Sequence, residues 1–589
     1  MTRIENVRIT FPDVFGINSN LRNKNTHNSQ FIELAIKSHD LISHMRSQKL
    51  AIADALKVNQ NLNIYDHQVL AAQKVKNELG GTAILADEVG LGKTIEAGIV
   101  IKEFLTTGLA KKVLILTPPS LLRQWQEELT TKFNLKFVSQ HDGSKFSRPK
   151  HHDLLLMSHS SAIFPKYRDE LVASYWDLVI VDEAHSMKNA STQKHQFVKS
   201  LPKRNLLLLT ATPLQNNIQE LYNLIELLRP GYLGTWSEFQ NRYMVNNDSR
   251  SFNVMFKDEL QKTLSNIIIR TRRKEVSRYI PFKDRIPHTE ILTPQEDEVD
   301  LYDSITDIVR SLYYDTPNSL PLMIYQRLAS SSTDASKMAL YKMLKNKHIT
   351  RKRYDELINL ANGIKIDSKL SKLLETIENN TSKFLIFTEF YDTQNYVANA
   401  LRKSGYSVEL FNGKMNSDEK FEAVKQFRGN AQVLVSTSAG GEGQNFQFCH
   451  NVVNYDLPWN PMRVEQKIGR VHRIGQTENV HIFNYALKGT IEEYILDLLY
   501  VKINLFQMTL GDMDLLFEDS WGGGSPHTWF KEYMSGKNKD EIKNRFSVLW
   551  HDWSNRKKNV HDAIKNFNED VFANFNLSVL EDLENESAK

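Results

Sequence analysis

Residues 82–105 read TAILADEVGLGKTIEAGIVIKEFL, and this stretch decides the fold. A short apolar run leads into a Gly-rich turn that closes on Lys93-Thr94, and an amphipathic helical pattern follows. Strand, tight turn and helix in that order aim a helix N-terminus, backbone N–H groups, an ammonium and a hydroxyl at one point. Such a point suits a polyphosphate with its magnesium ion. The generic pattern G-x-x-x-x-G-K-[ST] departs here at its first position, where Asp87 replaces Gly. Asp87, Glu88, Val89, Gly90, Leu91, Gly92, Lys93 and Thr94 are therefore the candidate ATP-binding loop, with ATP and Mg2+ as the implied cofactors. Lys93 is expected on the β and γ phosphates and Thr94 on the metal.

A second stretch, DLVIVDEAHSMKN at 177–189, places Asp182 and Glu183 at the C-terminal end of a strand. Active sites of open α/β sheets lie there. Asp182 is the expected second magnesium anchor, and Glu183 the group that orients or deprotonates water. Ala184 and His185 complete a DEAH box; taken alone, a histidine is more often a hydrogen-bonded structural residue. Gln68, in IYDHQVLAAQ, stands nineteen residues before Asp87. An amide can read the donor–acceptor edge of adenine, although a solitary Gln more often has a structural role.

The surrounding pattern supplies the fold class. Apolar runs at Thr82–Ala86, Val113–Leu116, Leu154–Met157, Leu178–Val181 and Leu206–Leu209 alternate with amphipathic segments. Short apolar runs closed by Asp, Thr or Ser are how buried parallel strands read. The rhythm returns at Phe384–Phe387, Ser407–Phe411, Val433–Ser436 and Asn451–Tyr455. The expectation is α/β, with two doubly wound parallel-sheet lobes at 62–235 and 366–500. Residues 236–365 read as a charged helical insertion, 1–61 as a loosely structured entry segment, and 501–589 as a mainly helical extension. That extension carries Trp521, Trp529, Trp550 and Trp553, a cluster expected to pack on the body.

Composition narrows the class. With 589 residues, 41% hydrophobic and 24% charged, the chain can build several cores. A net charge of +4 is too small to argue for nucleic acid by itself. Cys449 is the only cysteine, which excludes an internal disulfide framework and any Cys-rich zinc module. MTRIENVRITFPDVFG lacks a secretory apolar region, and no apolar run approaches the roughly 20 residues that span a bilayer. A soluble, cytoplasmic protein without membrane contact is expected.

The order of segments resembles a superfamily II helicase-like ATPase of the Swi/Snf type. DEVGLGKT matches that family's motif I, including its Asp. VLILTPPSLLRQW (113–125) is similar to motif Ia, DEAH to motif II, and LTATPLQNN (209–217) to motif III. FLIFTEFYDT (384–393) looks like motif IV and is followed by FNGKMNSDEK (411–420). VLVSTSAGGEGQNFQ (433–447) looks like motif V, and PWNPMRVEQKIGRVHRIGQ (458–476) like motif VI. The resemblance runs from about residue 62 to 500.

It implies two RecA-like lobes, with Arg470 and Arg473 as arginine fingers and Gln466 as a nucleotide or water contact. It also implies that Thr117, Ser120, Thr388, Ser436 and Thr437 touch a nucleic-acid backbone, and that Thr210 and Thr212 couple the lobes. Taken alone, each hydroxyl is more often a turn or cap residue. RTRRKE (270–275) is a charge run, open to reading as a solvated face or as a DNA contact.

DEVGLGKTIEAG and GTIEEYILDLL (489–499) look most like the bacterial branch that includes RNA-polymerase-recycling ATPases. Those enzymes carry sizeable N-terminal polymerase-binding modules, whereas motif I here begins at Asp87. Expected partners are double-stranded DNA and RNA polymerase or another DNA-bound protein, with the oligomeric state open. Three functions compete: a DNA-stimulated ATPase that translocates on duplex and displaces protein, a strand-separating helicase of repair or defence, and a nucleotide-gated binding subunit. Intact Lys93, Asp182, Glu183, Arg470 and Arg473 count against the last.

Overall fold

The computed structural model describes residues 49–52, 63–88, 90–142, 146, 148–210, 218–245, 248–252, 256–277, 279–280, 282–315, 320–437, 444–458, 461–496, 526–536 and 540–548. The chain divides into two compact units, Met1–Leu50 and Ala51–Lys589. Both large sheets belong to the second unit. The expectations for Val89, Thr212, Trp521, Trp550, Trp553 and all of the entry segment but residues 49–52 fall outside the described residues.

The sequence around the phosphate loop builds a seven-stranded parallel sheet. Its strands are β1 (Ala83–Leu85), β2 (Val113–Thr117), β3 (Val138–Ser139), β4 (Leu154–Ser158), β5 (Trp176–Val181), β6 (Lys203–Leu209) and, after the hairpin β7 (Met244–Val245) and β8 (Asp248–Phe252), β9 (Ile268–Ile269). The spatial order is β3-β4-β2-β5-β6-β1-β9. The central strands are apolar along their length because helices cover both faces, so no solvent side exists to reward alternation. Ile84, Leu114, Val179 and Leu208 share one core with Leu224, Phe197 and Leu264 from the covering helices. At roughly 1.5–3 kcal/mol per fully buried large apolar side chain, such layers dominate the stabilisation.

The second lobe contains β10 (Arg285–Leu292), β11 (Phe384–Thr388), β12 (Val408–Phe411), β13 (Val433–Thr437), β14 (Asn451–Asn454) and β15 (Val480–Leu487). They form a parallel sheet of order β10-β15-β14-β11-β13-β12. Neither β10 nor β15 is among the strands expected from the apolar runs. β10 is an edge strand with mixed polarity, half-exposed along its length, so it lacks the apolar run that marks the buried strands.

Residues 236–365 are not a purely helical insertion. Their start supplies the hairpin and β9 to the first lobe, and 285–292 supplies β10 to the second. Strand pairing across more than 180 positions fixes these segments, a relation invisible in local pattern: Ile84 faces Ile268, and Arg285 faces Val480. Helices Glu296–Asp315, Leu320–Ser331, Thr333–Lys345 and Arg351–Gly363 complete the region. Side chains that accept from N3 backbone groups start two of them, Ser332 from Ala335 N–H and Thr350 from Arg353 N–H.

Among the described residues the C-terminal region is helical, with Pro526–Ser535 containing Trp529. Phe530, Tyr533 and Met534 join the second-lobe core, and Tyr533 Oη lies 3.0 Å from Tyr302 Oη. No described helix is long and apolar enough to cross a membrane.

Candidate functional site

The phosphate loop leaves β1 and enters the helix Lys93–Thr106 through two left-handed glycines, Gly90 (φ +88°) and Gly92 (φ +99°). A side chain at either would be strained and crowded. A Cβ on Gly92 would collide with Gln68 Nε2, and one on Gly90 would lie 3.0 Å from Arg273 Nη2 and 3.1 Å from Arg473 Cγ.

Lys93 Nζ donates to the carbonyls of Asp87 (2.6 Å) and Glu88 (3.3 Å), which holds the ammonium over the loop. Burial lowers its pKa, while Asp87, Glu183, Glu96 and Asp182 oppose that shift. Asp87, standing where the generic motif has Gly, accepts from Thr271 N–H at 2.7 Å and so ties the loop to the segment after β9. Leu91 is fully buried against Val276 and Ile280.

Gln68 lines the cavity, but its amide is engaged by the chain. Its Nε2 donates to Leu91 O (2.9 Å), and its Oε1 accepts from Tyr65 N–H (3.2 Å). The geometry makes Gln68 a brace for the loop at the wall of the cavity, with one amide hydrogen left for a base. Beneath the loop, His67, Asp87 and Glu96 bring ligand-type atoms within 4.8 Å of one another. Burial and the neighbouring Asp87 carboxylate raise the Glu96 pKa well above the usual range.

At the end of β5, Asp182 accepts three hydrogen bonds: Trp125 Nε1 at 2.8 Å, Thr117 Oγ1 at 3.3 Å and Glu183 N–H at 2.8 Å. Burial and the Glu183 charge push its pKa up to about 6, against the pull of the indole. Glu183 adopts left-handed backbone (φ +50°, ψ 49°), a non-Gly strain of about 1–3 kcal/mol that turns its carboxylate into the cleft. Burial opposes its ionisation, but the hydrogen bond and charge of His185, then Arg470 and Lys93, hold its pKa down to about 2. His185 Nδ1 lies 3.2 Å from Glu183 Oε2, so the histidine participates by fixing the carboxylate. Ala184 is fully buried beneath them.

The second lobe closes the cavity. Gln466, Arg470 and Arg473 line it together with Lys93, Thr94, Asp182 and Glu183, around a volume of about 600 Å³. That lies within the roughly 300–1,000 Å³ typical of small-molecule sites. Backbone contact seats the lobes: Ile474 N–H donates to Gly90 O at 3.2 Å. At the rim, Gln444 Nε2 donates to Ser120 O (2.6 Å), and Arg123 pairs with Asp418 (2.7 Å). Burial, then the Arg470 charge, lower the Arg473 pKa to about 9, which favours an anion in the cleft. Thr94 hydroxyl and Asp182 carboxylate are hard oxygen donors facing one cavity, a set that fits Mg2+.

Several expected contacts are placed elsewhere. Thr117, Thr388, Ser436 and Thr437 are buried, so none presents a hydroxyl to a nucleic-acid backbone here. Thr117 serves Asp182, Thr388 donates to Asp456 Oδ2 (2.5 Å), and Ser436 donates to Thr437 O (3.1 Å). Of these five residues, only Ser120, at the rim, is part-exposed. Thr210 is buried and donates its N–H to Leu85 O, tying β6 to β1 (3.0 Å).

The RTRRKE run is neither a solvated face nor a DNA contact throughout, because Arg270 and Arg273 are 7% and 6% exposed. Two contributors have no site role in the sequence reading, although both lie in stretches it quotes. Trp125 sits on the apolar face Leu122, Trp125, Leu129, Phe133, where its indole N–H needs a buried acceptor. Arg273 is hidden inside the charge run.

Comparison with known proteins gives the family. The family described as SNF2-related domain matches residues 56–361, and the helicase conserved C-terminal domain matches 368–475. "Uncharacterized ATP-dependent helicase YqhH" of Bacillus subtilis (strain 168) is 42% identical over 454 residues, spanning 76% of this chain and 80% of that protein. Among solved structures, the Sulfolobus solfataricus SWI2/SNF2 ATPase core in complex with dsDNA is 24% identical with a TM-score of 0.37, covering 80% of this chain and 97% of that one. The Sulfolobus solfataricus SWI2/SNF2 ATPase core domain has 24% identity and a TM-score of 0.36, covering 77% and 91%.

Proposed function

The chain belongs to the SNF2-related family of helicase-like ATPases, and from that premise we propose that it is a DNA-stimulated motor that translocates on duplex DNA and displaces bound protein. One observation carries the reading: groups for binding, cleaving and sensing a triphosphate come from both lobes and line one cavity.

Lys93 swings from the Asp87 and Glu88 carbonyls to the β and γ phosphates. Thr94 and Asp182 would hold Mg2+, which would supply charge neutralisation along the phosphates. Glu183, ionised and fixed by His185, orients water and takes its proton. Arg470 and Arg473 stabilise the charge that builds on the γ-phosphoryl oxygens. Gln466, on the helix Pro461–Ile468, contacts nucleotide or water from the same side.

Because the arginines belong to one lobe and the lysine to the other, hydrolysis changes what holds the cleft shut. Rim contacts such as Arg123–Asp418 are exposed and individually weak, about 1 kcal/mol or less, so closure is reversible. Repeated closure and opening moves the lobes along a strand. Backbone contacts that position without reading sequence fit this role, and they predict affinity that falls steeply with salt.

The deciding experiment compares ATPase rate with single-stranded DNA, duplex DNA and RNA side by side, together with triplex displacement and duplex unwinding. Duplex stimulation with triplex displacement and no unwinding is expected. Unwinding of the duplex would favour a strand-separating helicase. A rate indifferent to every nucleic acid would refute the motor.

A further inference from the structure

The segment that joins the sheets leaves β9 at Ile269 and enters β10 at Arg285, and between them it lies against the phosphate loop. Thr271 N–H donates to Asp87 Oδ1 at 2.7 Å, Glu88 N–H to Thr271 O at 3.1 Å, and Arg273 N–H to Glu88 Oε2 at 3.2 Å. The Arg273 side chain then turns to the other lobe. Nη1 meets His472 Nδ1 at 2.8 Å, Nη2 donates to His472 O at 2.8 Å, and Phe282 stacks 5.5 Å from the guanidinium.

Arg285 Nε reaches the same His472 Nδ1 at 2.9 Å, while its fork grips Glu465 at 2.6 and 2.7 Å. His472 Nε2 lies 2.6 Å from Lys283 O. Two guanidinium N–H groups converging on one ring nitrogen require a lone pair there, and the carbonyl at Nε2 requires a hydrogen. Only the neutral imidazole protonated at Nε2 meets both demands. Burial and the two guanidinium charges act the same way, pressing the His472 pKa to about 3.

His472 lies between Arg470 and Arg473. Fixing its ring and its carbonyl therefore fixes the backbone that carries both arginines. Arg273 and Arg473 also pass over the same Gly90, whose missing side chain admits them.

We propose that Arg273 is a positioning residue: anchored to the phosphate loop through Glu88 and clasping neutral His472, it sets the second-lobe arginine pair on the nucleotide. The connector thereby acts as the mechanical link between closure and hydrolysis. This inference rests on the ATPase reading above. Arg273 does not line the cavity, so nucleotide affinity has no direct dependence on it. Releasing the clasp lets residues 470–474 shift, and a displacement of about 1 Å at a reacting centre costs on the order of 10²-fold in rate.

The test measures kcat for ATP and, separately, affinity for a fluorescent ATP analogue in full-length variants, with thermal unfolding as a folding check. Arg273→Ala and His472→Leu are expected to lower kcat about 10–100-fold with affinity held within about 3-fold. The double variant is expected to be no worse than the more impaired single one, because the Arg273–His472 contact can be lost only once. His472→Asn, which offers an amide oxygen near the Nδ1 position, is expected to recover activity to within about 3-fold of wild type.

Should His472→Leu fail to fold, Arg273→Lys decides, since it keeps the charge and loses the fork; about a 10-fold fall in kcat is expected. Additive losses, unchanged kcat, or an Asn variant as impaired as the Leu variant would overturn the proposal. A wild-type protein without ATP turnover would instead refute the ATPase reading and take this inference with it.

Discussion

Replacing Trp125 by Phe isolates what holds Asp182 in its working state. The indole is 1% exposed and its Nε1 donates to Asp182 Oδ2 at 2.8 Å; the remaining side-chain donor, Thr117, stands farther off at 3.3 Å. Phe keeps most of the packing and deletes the donor. A hydrogen bond to a charged group contributes roughly 1.5–3 kcal/mol, and one pKa unit corresponds to about 1.4 kcal/mol. The loss should raise the Asp182 pKa by about one to two units. In the intact protein burial and Glu183 already bring that pKa to about 6.

Asp182 must be ionised to hold magnesium, so activity is lost as pH falls through its pKa. The acid limb of kcat/KM for MgATP, which reports free-enzyme groups, should therefore move from near 6 to roughly 7–8. At pH 7 the variant should lose about 2–10-fold, and near pH 9 it should approach wild type. The assay is steady-state ATP turnover between about pH 5.5 and 9 in constant ionic strength. A uniform loss at every pH, or an unmoved midpoint, would refute the reasoning, because either would mean that Trp125 acts through packing alone.

Glu183→Gln should bind ATP normally and fail to hydrolyse it, and single-turnover kinetics at the wild-type rate would remove Glu183 as the base. Arg470→Ala should depress kcat by about 10³-fold or more with modest change in nucleotide affinity, measured by turnover and analogue titration. Gly98→Ala should destabilise the first lobe by about 1–3 kcal/mol in urea unfolding, because its Cβ would run into the Phe133 ring.

The sequence by itself determined whatever depends on neighbours along the chain. A Gly-rich turn before Lys93, a polar Asp-Glu closing an apolar strand, and short apolar runs at 82–86, 113–116 and 384–387 are local chemistry, legible as such. The edge strand β10, half-exposed and mixed in polarity, had no comparable signature. Tertiary structure alone decided which distant atoms meet. It turned Thr117, Thr388, Ser436 and Thr437 inward, engaged Gln68 on Leu91, and drew Arg273 out of an apparent surface charge run to clasp His472, 199 positions away. Short-range preference fixes what a segment can become. The energy of a buried hydrogen bond or ion pair depends on ångström separations between segments, and only the packed chain sets those distances.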